Sequence, residues 1–86
     1  MTDAEILAKV KLGLGITTSY QDEMLKVYIA DVMAFMADAG VPADVCRDTA
    51  SVGCILRGVA DVWNYSAGGV KYSETFKQRV IQLAGR

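Results

Sequence analysis

"YQDEMLKVYIADVMAFMADAGVP", residues 20–42, carries its apolar side chains at helical and not at strand spacing. On a wheel of about 100° per residue, Leu25, Tyr28, Ile29, Val32, Phe35, Met36 and Ala39 share one arc, while Glu23, Lys26, Asp31 and Asp38 take the other. The pattern predicts an amphipathic helix over residues 20–39. Thr18 or Ser19 is the expected N-cap, and Asp22 and Glu23 suit the positive end of the helix dipole. Gly40 can adopt a left-handed C-cap, and Pro42 cannot extend the helix in front of it.

Upstream, Thr2 and Glu5 have capping-box spacing and Ile6, Leu7, Val10 and Leu14 follow at helical intervals. A short first helix is expected over residues 3–12, stopped by Gly13 and Gly15. Downstream, a long third helix is expected from Ala43 or Asp44 to Trp63, with Val45, Val52, Ile55, Leu56, Val59, Val62 and Trp63 on its apolar arc. Ala50, Gly53, Cys54 and Gly58 fall elsewhere on that helix. Glycine inside a helix costs about 0.5–1 kcal/mol relative to alanine, so two of them suggest that another helix approaches closely. A fourth helix is expected from Ser73, with Phe76, Val80 and Leu83 inward and Ile81 off that stripe. The chain therefore reads as a single all-α domain over residues 1–86. It is a small four-helix domain with a short helix 1, long helices 2 and 3, and a C-terminal helix 4 after a glycine loop.

Eighty-six residues allow one domain, and 52% hydrophobic residues is high for a small monomer. The mean hydropathy of +0.25 agrees. The excess suggests surface meant for partners. No stretch reaches the ~18 uncharged apolar residues of a membrane span, and "MTDAEI" lacks the start of a signal peptide, so no membrane is expected and the protein is expected to be intracellular when made. Histidine is absent and the two cysteines, Cys46 and Cys54, lie eight positions apart. On one continuous helix that spacing separates them by about 12 Å, too far for a disulfide, and they read as buried, inert thiols.

Catalysis finds little support. Without histidine, general acid-base work would need carboxylates held in different environments. Asp22 with Glu23 and Asp44 with Asp48 instead suit helix N-termini. No enzyme, metal or cofactor is expected. "SAGGVKYS", residues 66–73, fails as a phosphate loop because Val70 separates Gly69 from Lys71, Tyr72 replaces the hydroxyl residue, and a helix precedes it. Charge is uneven: residues 1–68 carry five basic and nine acidic groups, whereas residues 69–86 carry Lys71, Lys77, Arg79 and Arg86 against Glu74. A basic C-terminal end on an acidic body suits an acidic neighbour better than sequence-specific DNA.

"ILAKVKLGLGI" followed by the quoted helix resembles the N-terminal half of the head-tail connector (adaptor) proteins of tailed bacteriophages, also described as phage DNA-packaging proteins. "VWNYSAGGVKYSETFKQRVIQLAG", residues 62–85, is similar to the C-terminal signature of that family in prophages of Gram-positive bacteria. The acidic run before helix two is thinned here to Asp22 and Glu23, and the glycines of the third helix are unusual. The resemblance implies a non-enzymatic subunit of a closed ring, dodecameric when assembled. That ring would sit beneath the portal protein, dock the next neck or tail component, and let genomic DNA pass without sequence recognition. It further implies residence in the host bacterial cytoplasm during assembly and then in the virion neck. Tyr65, Gly68, Gly69, Lys71, Tyr72, Lys77, Arg79 and Ile81 are the expected contacts to a partner or a neighbouring copy. Trp63 is expected in the core, and replacing Lys71 and Tyr72 by alanine is expected to leave the fold intact. A small helical DNA-binding or regulatory interaction domain is the alternative.

Overall fold

Five helices account for the fold in the computed structural model, which describes residues 1–64 and 72–85. They are α1 (Asp3–Leu14), α2 (Asp22–Asp38), α3 (Ala43–Cys46), α4 (Val52–Trp63) and α5 (Glu74–Ala84), with a single 3-10 turn at Thr49–Ser51. The described residues contain no strand, so the chain is all-α.

α1 opens as its sequence requires. Thr2 accepts from the Glu5 amide and the Glu5 carboxylate accepts from the Thr2 amide. It runs two residues past the expected end. Gly13 lies inside the helix, where an added Cβ would collide with the Leu56 side chain of α4. Gly15 is the stop, left-handed at φ 74° and donating to the carbonyls of Lys11 and Leu12. α2 begins at Asp22 with Gln21 as its cap, and neither Thr18 nor Ser19 supplies a cap side chain. Its first turn is held instead by an ion pair between Asp22 and Lys11 at 2.7 Å, both partly buried, which ties the end of α1 to the start of α2. Gly40 is left-handed as expected, at φ 100°.

The long third helix does not exist as one piece. The chain breaks after Cys46, because Asp48 turns extended and its carboxylate accepts from the Ala50 amide, capping a new start. Aspartate competes with helix geometry in this way wherever its short side chain can reach a nearby amide. The buried Ser51 hydroxyl then donates to the carbonyl of Val45, which also accepts from the Asp48 amide, and so ties the new start to the end of α3. Cys46 and Cys54 therefore sit on different helices, and the 12 Å separation expected of one continuous helix does not apply. Both thiols are free and buried.

α4 lies across α1 and α2 and also contacts α5. Cys54 and Gly58, expected outside the apolar arc, face inward together with Ile55 and Val59. The close approach that Gly58 permits is made within the chain, by Phe76 of α5 and Val32 of α2. α5 agrees with its sequence: the Ser73 hydroxyl accepts from the Phe76 amide, and Phe76, Val80 and Leu83 are buried.

Candidate functional site

Two fixed ends frame the segment singled out in the sequence. On the N-terminal side, Trp63 is half-buried and meets Tyr28 edge-on, with ring centroids 5.9 Å apart. On the C-terminal side, Asp61 of α4 accepts from both the amide (3.0 Å) and the hydroxyl (2.7 Å) of Ser73. One residue earlier, the Tyr72 hydroxyl donates to Asp31 of α2 at 2.7 Å. Tyr65, Gly68, Gly69 and Lys71, expected as partner contacts, lie outside the described residues.

Tyr72 was expected among the contacts, and its position corrects that expectation. It is only 7% exposed, with its ring against Phe35 and Phe76 at centroid distances of 4.8 and 4.7 Å. Replacing it by alanine would open the core, so the double alanine change with Lys71 is expected to destabilise the fold and not to leave it intact. Burial pushes the phenol well above its ordinary pKa, and the hydrogen bond it donates to the Asp31 carboxylate adds to the shift. Tyr72 therefore stays a donor across the whole working pH range. Tyr72→Phe keeps the ring and removes the bond to a charged acceptor. A loss of about 1.5–3 kcal/mol is expected, read as a lower denaturant midpoint at unchanged slope, and an unchanged midpoint would show that the bond carries nothing.

The remaining expected contacts lie on α5. Lys77 and Ile81 are one turn apart, Ile81 is 63% exposed, and Lys77 pairs loosely with Glu74 at 3.7 Å. Arg79 is exposed and bonds Gln82 at 3.1 Å, but sits on a different side of the helix from Ile81. The structure thus brings Lys77 and Ile81 together and leaves Arg79 apart.

Sequence reasoning missed a second surface. Tyr20, immediately before α2, and Met24 and Val27 on its first turns are large apolar side chains in solvent. Their spacing of four and three residues was legible as a second apolar stripe on the side opposite Leu25, Ile29 and Val32. α2 is therefore apolar on two faces, which is the pattern of a helix covered on both sides. A groove of about 610 Å³ runs between α1 and α2 over Leu7, Ile29 and Met33, with Asp3, Lys26 and Arg47 at its rim. A shallower hollow of about 350 Å³ lies between the end of α1 and α4, lined by Gly13, Leu14, Gly53, Leu56, Arg57 and Ala60.

None of these places gathers a reactive set. Among the described residues no three histidine, cysteine, aspartate or glutamate side chains converge as metal ligands. Burial pushes the Cys54 thiol up to about 11, so at neutral pH it is protonated and a poor nucleophile. The raised value favours the neutral thiol in the folded state. Its stabilising effect is thus complete below the unfolded thiol value of 9.0 and is lost as pH climbs towards about 11. Native protein at pH 8 is expected to resist a soluble thiol reagent and to expose both thiols on unfolding. Fast native labelling of Cys54 would contradict its burial.

Comparison of the chain with protein families, with curated proteins and with solved structures finds no match.

Proposed function

We propose that this protein is a structural subunit of the head-tail junction of a tailed bacteriophage or prophage. Its copies would form a ring joining the portal of the filled head to the neck or tail and extending the DNA channel. The observation that carries the reading is the amount of large apolar side chain left in solvent by so small a domain: Leu12, Tyr20, Met24, Val27 and Ile81 are each at least half exposed. A surface of this kind belongs to a part made to be covered. The resemblance of residues 62–85 to the connector signature gives the covering partners: neighbouring copies, the portal and the tail-side component.

In this reading Tyr65, Gly68, Gly69 and Lys71 contact a neighbour or the portal, as do Lys77 and Ile81 of α5. Tyr72 and Ser73 act as the anchor of the segment that precedes them. The two bonds to Asp61 and the one to Asp31 root the segment in α4 and α2, so a load on it is passed to the body of the subunit. The basic groups of α5, Lys77 and Arg79, suit an acidic partner surface or the backbone of passing DNA.

The test is addition of purified protein to portal-bearing heads of the same phage, followed by sedimentation and electron microscopy. A ring at the portal vertex is expected. Lys71→Ala is expected to keep the fold and impair head-tail joining. Failure to associate, together with salt-sensitive binding to duplex DNA, would replace this reading with that of a small DNA-binding or regulatory domain.

A further inference from the structure

Met24 and Val27 lie on α2, whose opposite face already fills the core, and Tyr20 precedes them in the turn before the Gln21 cap; the three form the exposed apolar stripe. Glu23 lies within the stripe, three residues from Tyr20 and four from Val27. Its only partner among the described residues is Lys26 at 3.0 Å, on the exposed surface. Such a pair is worth little and is readily exchanged. The stripe is therefore a set of projecting apolar side chains with one available carboxylate.

The same molecule carries a surface of the reverse form. The hollow between α1 and α4 is floored by Leu14 and Leu56 and deepened by Gly13, Gly53 and Ala60. Arg57 stands at its edge, exposed and without an ion pair among the described residues. Among the described residues nothing accounts for Gly53: an added Cβ would meet no atom within 4 Å. The other interior glycine of α4, Gly58, faces Val32 of α2, so the hollow opens on a different side of α4 from the one that packs on α2.

We infer that the Tyr20-Met24-Val27 stripe docks into the Gly53-Arg57 hollow of a second copy of this chain, with Glu23 meeting Arg57. Two stripes would set Glu23 against Glu23, and two hollows would leave Arg57 beside Arg57 with no side chains to fill the space. Only the stripe-to-hollow pairing matches both shape and charge. Tyrosine is the side chain best suited to anchor such a contact, being large and stiff. Because the two surfaces differ, the contact is heterologous. Each copy then offers one free stripe and one free hollow, and repetition gives a ring or a filament. The choice of a second copy as occupant rests on the ring reading above; the choice of surfaces does not.

Two variants test the contact by complementation. Val27→Asp spoils the stripe at an exposed position, and Gly53→Leu fills the hollow from a site where an added Cβ meets no described atom within 4 Å. Circular dichroism and thermal melts are expected to show both folded. In sedimentation velocity the unaltered protein is expected to self-associate as concentration rises, and each variant alone to stay monomeric. Their equimolar mixture is expected to form a one-to-one dimer and stop there, since only one intact stripe and one intact hollow remain. A mixture that stays monomeric, a variant that still assembles alone, or an unaltered protein that is monomeric at millimolar concentration overturns the inference. If both variants join heads to tails normally, the docking surfaces are wrong and the neck role stands. If the mixture dimerises but the unaltered protein ignores portal-bearing heads, the docking stands and the neck role falls.

Discussion

Phe76→Ala is expected to destabilise the protein by about 3–5 kcal/mol, as large aromatic truncations in closed cores do. The side chain is fully buried on α5 and forms one cluster with Phe35 and Tyr72, its ring centroid 5.5 Å from the first and 4.7 Å from the second. Its ring also lies against the bare backbone of Gly58, so its removal leaves a cavity between that backbone and the two remaining rings. A domain of this length typically has about 4–13 kcal/mol of stability in total, so the change takes roughly a quarter of it or more. At about 4–8 °C per kcal/mol for so small a domain, the melting temperature should fall by well over about 10 °C. Thermal and urea unfolding followed by far-ultraviolet circular dichroism read both quantities. A loss below about 1 kcal/mol would mean that α5 is held by something other than this cluster.

α2 and α5 were legible in the sequence because each carries a strict apolar stripe between recognisable ends, such as Ser73 before α5 and Gly40 after α2. The third helix was not, because a wheel records only where side chains point. It does not record that Asp48 prefers to cap a fresh turn, nor that the Ser51 hydroxyl can reach back to the Val45 carbonyl across the break. The cluster of Asp48, Thr49 and Ser51 was the available signal, all three being poor in a helix interior. Gly13 misled for a related reason: its purpose is the passage of Leu56 across α1, a tertiary contact that no local pattern announces. Within the candidate site, Ile81 and Lys77 were legible as residues off the inner stripe of α5. Tyr72 was not, since a tyrosine beside a glycine-rich stretch looks exposed until its partners Asp31 and Phe35, some forty positions away, are known. Tyr65, Gly68, Gly69 and Lys71 stand on sequence alone.

Gly58→Ala and Gly53→Ala are expected to change stability in opposite directions, although both put a methyl group on the same helix. Helix propensity favours alanine at each by about 0.8–1 kcal/mol. At Gly53 the new Cβ meets no atom within 4 Å, so that gain is kept and stability should rise by about 0.5–1 kcal/mol. At Gly58 the new Cβ would stand 2.6 Å from Cε1 of Phe76 and 2.8 Å from Cγ1 of Val32, well inside contact distance. Neither neighbour can step aside, because both are fully buried and the Phe76 ring is already fixed by Phe35 and Tyr72. Overpacking of this kind typically costs about 1–3 kcal/mol, more than propensity returns, so a net loss is expected. Gly58→Val adds two further carbons to the same space and should lose more. Urea titrations of the two alanine variants would decide the matter. Equal gains at both positions would mean that α4, α2 and α5 do not meet at Gly58, and the packing that seats Phe76 would have to be redrawn. Opposite signs would identify Gly58 as the point where three helices converge and show that the described packing of the subunit does not require a glycine at position 53.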